Sequence, residues 1–221
     1  MRKISIISPI YNCSEVLERF IDTVLYNIKK ICKNYEIVLI DDYSKDDSWK
    51  KLITLKSKSE NIKIKKNKKN IGQHQTIKKA LRMAKGDLIF ILDCDLQDNP
   101  KYFKNFLKLK KNSETAVFGK IKKGSEQKGF ASILFWYLFN LLTNIDNLSK
   151  ISTFALIDKL HSKELIKMNN DGFIYAEIKK KFPIKYIFYN RNKKFNNKSS
   201  YSYLKLLQLG YKWIKLYNRF R

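Results

Sequence analysis

The sequence predicts an α/β fold: a Rossmann-like, doubly wound, mostly parallel sheet flanked by helices. Three observations predict it. Short apolar, β-rich runs alternate with helix-period stretches through the first half of the chain. The runs are apolar on both alternating faces, as strands covered by helices on either side are. Two of them end in carboxylates, Asp41-Asp42 and Asp93-Cys94-Asp95. Open α/β sheets bind ligands at the carboxyl ends of their strands.

The elements follow in order. Lys3 to Ile7 reads as the first strand, ending at Ser8-Pro9. Ser14 is placed to cap a helix with apolar positions Val16, Leu17, Phe20, Ile21, Val24, Leu25 and Ile28, a 3.6-residue period. Glu36 to Ile40 is the second strand, and a helix follows near Ser48 to Lys56. Asn61 to Lys65 is a short, exposed third strand. Asn70-Ile71-Gly72 opens a helix through Thr76, Ala80, Leu81 and Ala84, with Gly86 as its C′ residue. The run Leu88 to Leu92 is the fourth strand and delivers Asp93. This βαβ rhythm implies right-handed crossovers.

The second half is less regular. Ala116 to Phe118, Ser152 to Ile157 and Ile184 to Tyr189 read as strands, and Lys120 to Gly129 as a basic loop. Phe130 to Leu142 is apolar almost all round, either a buried helix or one lying in a membrane interface. From Tyr201 the chain is aromatic and basic. On a helical projection Lys205, Lys212, Lys215 and Arg219 share about a quarter of the circumference. That pattern fits a basic interfacial helix or an ordinary surface helix with snorkelling lysines. The expected division is an α/β domain over 1–200 and an appended helix over 201–221.

Composition bounds the partners. The 221 residues hold 46 Lys and Arg against 20 Asp and Glu, a formal net charge of +26. Such a field attracts nucleic acid, anionic lipid headgroups or phosphorylated substrates. Only 6 of the 46 are Arg, a Lys-rich bias that an AT-rich genome also produces, so charge alone assigns no partner. Nucleic acid is set aside, because the lysines are dispersed and form no recognisable binding module. Three cysteines, Cys13, Cys32 and Cys94, have no paired spacing and suggest a reducing compartment. The N-terminus starts directly as a strand, and no window holds the roughly 20 apolar residues of a spanning helix. The expected location is cytoplasmic, peripheral at the cytoplasmic face of a membrane.

Asp93 and Asp95 carry the chemistry. Hard cations such as Mg²⁺ take oxygen ligands and share them with a substrate's phosphates, so a strand-end Asp-x-Asp suggests a metal-bridged diphosphate. The plain alternative is a solvated acidic turn. Asp41 reads as a cap on the turn into Ser44, Lys78 and Lys79 as a solvated helix face, and His74 as a polar surface or capping residue.

Several segments in fixed order add to this: SPIYN, EIVLIDDYSKDDS, NIGQHQTIKKALRMAKGD and DLQDNP. Together they resemble family-2 glycosyltransferases of the GT-A fold, and within them the dolichyl- or polyprenyl-phosphate sugar synthases, whose motif runs close to DADLQDPP. STFALIDK and RNKKFNNKSSYSYLKLL are similar to two later segments of that family. The resemblance implies a nucleotide-diphosphate sugar donor bound by Pro9, Tyr11, Asn12, Ile40, Asp42, Asp93, Cys94 and Asp95. It implies Mg²⁺ or Mn²⁺ held by Asp93, Asp95 and Gln97, which are then the catalytic set. Lys120, Arg191 and Lys194 match family arginines and would pair with acceptor or donor phosphates.

A polyprenyl phosphate acceptor is already anionic and needs no general base. A glycan hydroxyl acceptor, the alternative, would need one, and Glu177 is the candidate against its plainer reading as a solvated helix residue. The sequence departs from the family pattern at Cys13 (usually Glu), Cys94 (usually Ala), and Lys194, Asn197 and Ser200 (usually Arg, Gly and Lys). The expectation is an inverting, metal-dependent glycosyltransferase working at an anionic membrane surface.

Overall fold

A computed structural model describes residues 2–122, 139, 141, 151–168, 172–192, 208, 211–212 and 214–217. Seven strands among them form one sheet: β1 Ile4–Ile10, β2 Tyr35–Asp41, β3 Ile62–Lys66, β4 Leu88–Ile91, β5 Ala116–Ile121, β6 Ile151–Asp158 and β7 Ile184–Tyr189. Their order is β3-β2-β1-β4-β6-β5-β7. Only β6 runs against the others, pairing antiparallel with β4 and β5, while β7 returns parallel to β5. The reversal at β6 brings its amino end to the edge where β1, β2, β4, β5 and β7 finish. Residues 88–91 pair with 158–155, so Thr153 falls opposite Asp93 by continuation of the register.

Helices cover both faces because the strands are apolar on both. Ile6, Ile37, Leu39 and Phe90 pack under α1 (Leu17–Lys29) and α2 (Ser48–Ser57) and against α4 (Phe103–Leu109). Ile7, Val38, Ile40, Ile89 and Ile91 face α3 (Gln73–Met83), α5 (Lys159–Lys167) and α6 (Ile174–Lys179). Each such side chain contributes roughly 1.5–3 kcal/mol on leaving water.

The structure corrects four expectations. β1 continues through Pro9 to Ile10. Its pairing with β4 extends only from Ile4 to Ile7, so at Pro9 the missing N–H removes no bond on that side. Ser14 does not cap α1; Val16 stands at the N-cap, and the Ser14 amide donates to Asp46 Oδ2 at 3.0 Å. Gly86 is not a left-handed C′ glycine, since α3 ends on extended Ala84 and, of the described glycines, Gly72 is the one at positive φ. Gly86 is there for close approach: a Cβ would lie 2.5 Å from the Ser5 nitrogen. Lys78 is buried, not solvated, and its Nζ donates to the Met168 carbonyl at 3.1 Å.

Most of the expected 130–142 helix lies outside the described residues; Phe139 is buried and Leu141 exposed. No helix among the described residues is long and apolar enough to cross a membrane.

At the opposite sheet edge Glu36 is buried. Its carboxylate accepts from Ser5 Oγ at 2.6 Å, Lys63 Nζ at 2.6 Å and the Lys85 amide at 2.5 Å, with Lys3 Nζ 3.3 Å away. Burial alone would raise its pKa; the bonds from Lys63, Ser5, Lys85 and Lys3 outweigh that and hold it at about 2. A carboxyl depressed on folding stabilises above its unfolded pKa, and that contribution is lost as pH falls toward the folded value. Acid titration of unfolding should show wild-type stability dropping between pH 5 and pH 2. Glu36→Gln should flatten that slope and cost about 2 kcal/mol at pH 7.

Candidate active site

The acidic edge is built from strand ends. Asp41 ends β2, and its Oδ2 accepts from the Ser44 amide at 3.1 Å, the turn cap expected of it. Asp42 is buried and heavily used. Its Oδ1 accepts from Asn67 Nδ2 at 2.8 Å and the Ile71 amide at 2.9 Å, and its Oδ2 from the Gly72 amide at 2.8 Å. Asp42 therefore shapes the turn that opens α3. Gly72 takes φ +87° there, a conformation that favours glycine.

Past β4, Asp93 and Asp95 are half-buried and Cys94 is buried. Cys94 packs in the apolar cluster with Cys13. A hydrogen bond with the Cys13 thiol, then burial, pushes the Cys94 thiol well above its ordinary value. Two departures from the family pattern, far apart in sequence, thus meet in space.

Asp93 is gripped from two sides. Gln73 Nε2 donates to its Oδ1 at 2.7 Å and Thr153 Oγ1 to its Oδ2 at 2.8 Å. Burial and then the Asp95 charge raise its pKa, against the lowering influence of Thr153, Arg191 and Gln73. Asp95 accepts from the Gln97 amide at 3.0 Å. Leu96 turns with φ +59°, and Asp98 then points into the core, fully buried. The Tyr189 hydroxyl donates to Asp98 Oδ1, and Arg191 Nε lies 3.6 Å from the same oxygen. Burial lifts Asp98 to about 7; Arg191 pulls it down, Asp93 pushes it up.

The other expected site residues vary in placement. Pro9 pairs with Ile40 across β1 and β2. The Ile40 side chain is buried against α3, so it supports the site rather than entering it. Tyr11 is half-buried, and Asn12, exposed at φ +50°, accepts the Lys45 amide at 2.8 Å through Oδ1. The Lys120 ammonium sits over the rings of Tyr186 and Phe188, at 5.0 and 5.5 Å. Lys194 lies outside the described residues.

Glu177 is buried rather than solvated. It accepts from the Tyr217 hydroxyl, which itself accepts the Phe173 amide at 2.8 Å. His74 is buried too, edge-on to Phe173 at 5.1 Å. Sequence reasoning missed Gln73, Thr153, Asn67 and Asp98. Each lies in or beside a segment singled out for another reason, and only the register shows what each touches.

The donor set fits a hard cation. Asp93 and Asp95 are two adjacent carboxylates whose mutual repulsion a cation relieves. Among the described residues no group of three or more His, Cys, Asp and Glu forms a metal site. Two carboxylates suit an ion such as Mg²⁺ that completes its shell with water and substrate phosphates.

Parallel strands ending in carboxylates at a switch point, with Asp-x-Asp past β4, define a doubly wound α/β fold whose acidic residues lie at the edge where such sheets take ligands. The chain belongs to glycosyl transferase family 2, whose model matches residues 5–166. It is 37% identical over 110 residues to the undecaprenyl-phosphate 4-deoxy-4-formamido-L-arabinose transferase of Photorhabdus laumondii, covering 49% of this chain and 34% of that one. It is 36% identical over 103 residues to the protein of the same name from Proteus mirabilis, covering 46% of this chain and 31% of that one. The matches span about a third of the length of these curated relatives.

Among solved structures, the fold matches a mannosyltransferase from Pyrobaculum calidifontis in complex with GDP-Man and Mn²⁺. The TM-score is 0.60 at 17% identity, over 87% of this chain and 58% of that one. It also matches mannosyl-3-phosphoglycerate synthase from Rubrobacter xylanophilus, with TM-score 0.65 at 15% identity, over 96% and 71%. These likenesses establish the GT-A fold.

Asp42→Ala should leave the Asn67, Ile71 and Gly72 donors without their acceptor, at a cost of about 2–4 kcal/mol. A thermal melt by circular dichroism should show a midpoint lower by roughly 5–15 °C.

Proposed function

We propose that this chain is an inverting, metal-dependent glycosyltransferase that moves a sugar from a nucleotide-diphosphate sugar to a polyprenyl phosphate. The observation that carries the reading is the Asp93 and Asp95 pair at the carboxyl edge of the sheet, braced by Gln73 and Thr153. The names of the curated relatives support a polyprenyl phosphate as acceptor.

Each residue then has a task. Asp93 and Asp95, with Gln97 by resemblance, would hold Mg²⁺ or Mn²⁺, and a cation there neutralises charge on the departing diphosphate. Gln73 and Thr153 fix the Asp93 carboxylate so that it does not have to reorganise when the donor arrives. Pro9, Tyr11 and Asn12 flank the end of β1, where a nucleoside fits against the Asp42-shaped turn. Arg191 and Lys120 offer cations to phosphates, with Lys194 assigned the same role by resemblance.

The acceptor phosphate attacks the anomeric carbon from the face opposite the leaving group, which inverts the centre. A phosphate monoester is anionic near neutrality, so no proton need be removed. Glu177, the base a hydroxyl acceptor would call for, has its carboxylate engaged with Tyr217, which favours the phosphate acceptor.

Residues 201–221 are assigned to a helix attached to a catalytic domain over 1–200. Of its described positions, Tyr217 is buried and Ile214 packs on the core. Tyr211, Lys212, Lys215 and Leu216 are exposed. Aromatic and aliphatic side chains beside lysines suit an anionic membrane surface, and so a peripheral place at its cytoplasmic face.

Purified protein given Mn²⁺ or Mg²⁺, labelled nucleotide sugars and a polyprenyl phosphate should make chloroform-extractable product. Asp95→Asn should lower that rate by about 100-fold or more. Label confined to a water-soluble oligosaccharide would move the acceptor to a glycan hydroxyl, and Glu177→Gln should then abolish turnover. If no sugar is transferred to either acceptor, the reading is wrong.

A further inference from the structure

Two segments 91 or more residues apart meet beneath the acidic pair. The loop Leu96 to Asp98 and the end of β7 through Asn192 are joined along their length. The Asn192 amide donates to the Gln97 carbonyl at 3.0 Å, and Asn192 Nδ2 to the Leu96 carbonyl at 2.9 Å. Gln97 Nε2 reaches the Asn192 carbonyl at 3.5 Å. Tyr189 donates its hydroxyl to Asp98, and Arg191 Nε lies 3.6 Å from the same carboxylate. The Tyr189 ring is itself fixed, edge-on to Phe154 at 5.9 Å and to Tyr102 at 5.4 Å. Asp98 is wholly buried and the Arg191 side chain mostly so.

This arrangement raises a problem of charge. A guanidinium moved onto Asp93 and Asp95 would act as their counter-ion and occupy the carboxylate oxygens a divalent cation needs. Arginine forks match carboxylates well. Asp98 supplies a third carboxylate on the core side of the loop, and Arg191 lies against it. Tyr189 orients the Asp98 carboxylate through its hydroxyl.

We propose that Asp98 is a positioning residue which, with Tyr189, holds the Arg191 guanidinium back from Asp93 and Asp95 and so keeps that pair open to the metal. Arg191 then stands at the rim of the cation site, on the donor-diphosphate side rather than at a separate acceptor site. The inference rests on the donor-site reading above. It adds a residue that coordinates nothing and touches no substrate.

The test is Mn²⁺ binding to the full chain at pH 8, without donor or acceptor, followed by the electron paramagnetic resonance signal of free Mn²⁺. Asp98→Asn keeps the size and an acceptor for Tyr189 but lowers the hold on Arg191. It should weaken Mn²⁺ binding by about 10-fold to 100-fold, the usual range for residues just behind metal ligands. Adding Arg191→Met should restore binding close to that of Arg191→Met alone, because the competing cation is gone. A merely structural role for Asp98 would not be rescued by deleting a second buried partner. Unchanged affinity in Asp98→Asn, or a loss that Arg191→Met fails to recover, would overturn the proposal. If Asp98→Asn does not fold, Tyr189→Phe keeps the packed ring and should show a smaller loss, again cancelled by Arg191→Met; no loss there would also overturn it. A wild-type chain that binds no Mn²⁺ sinks the donor-site reading together with the inference, whereas wild-type binding that Asp98→Asn leaves untouched sinks the inference alone.

Discussion

Five carboxylates crowd one edge of a sheet in a protein whose net charge is strongly positive, and the need to stabilise them organises the molecule. Asp41 ends β2, and Asp42, Asp93, Asp95 and Asp98 follow strand ends at that edge. A desolvated carboxylate is tolerated only where donors or cations surround it. Asp42 answers with backbone amides and Asn67, Asp93 with Gln73 and Thr153, Asp98 with Tyr189 and Arg191. Burial, and then repulsion from Asp95, raise the Asp93 pKa. The pair is left where a divalent cation and a diphosphate would complete it.

The donors come from elements placed by topology. Gln73 opens α3, and the Asp42-bound turn sets where that helix begins. Thr153 reaches Asp93 because β6 reverses direction, so its amino end arrives at an edge otherwise made of carboxyl ends. Tyr189 and Arg191 arrive because β7 returns parallel to β5. Among the described residues, few lysines take part in this centre. Lys3 and Lys63 instead hold Glu36 at the far edge, and Lys110 pairs with Asp158.

The thiol contact between Cys13 and Cys94 bears on the family comparison. The family pattern has a carboxylate at position 13, where this chain has Cys13. Here two buried thiols occupy the space, and their mutual hydrogen bond keeps Cys94 protonated.

Composition and periodicity by themselves determined the α/β class, the run of strands through β4 and the acidic pair, because buried parallel strands are written as unbroken apolar runs and their ends as polar residues. β7 too was legible to the residue. The ordered motifs added the family. Tertiary structure alone decided what each carboxylate touches. Glu177 looked like a solvated residue or a base, yet Tyr217, 40 residues on, holds it in the interior. Lys78 looked like a surface lysine, yet its ammonium reaches Met168 across 90 residues. Gly86 looked like a helix stop, yet its missing Cβ leaves room for Ser5 on β1. Local sequence encodes periodicity and turn chemistry within a few residues, whereas hydrogen-bond partners at long separation depend on strand order and register, which no local pattern specifies.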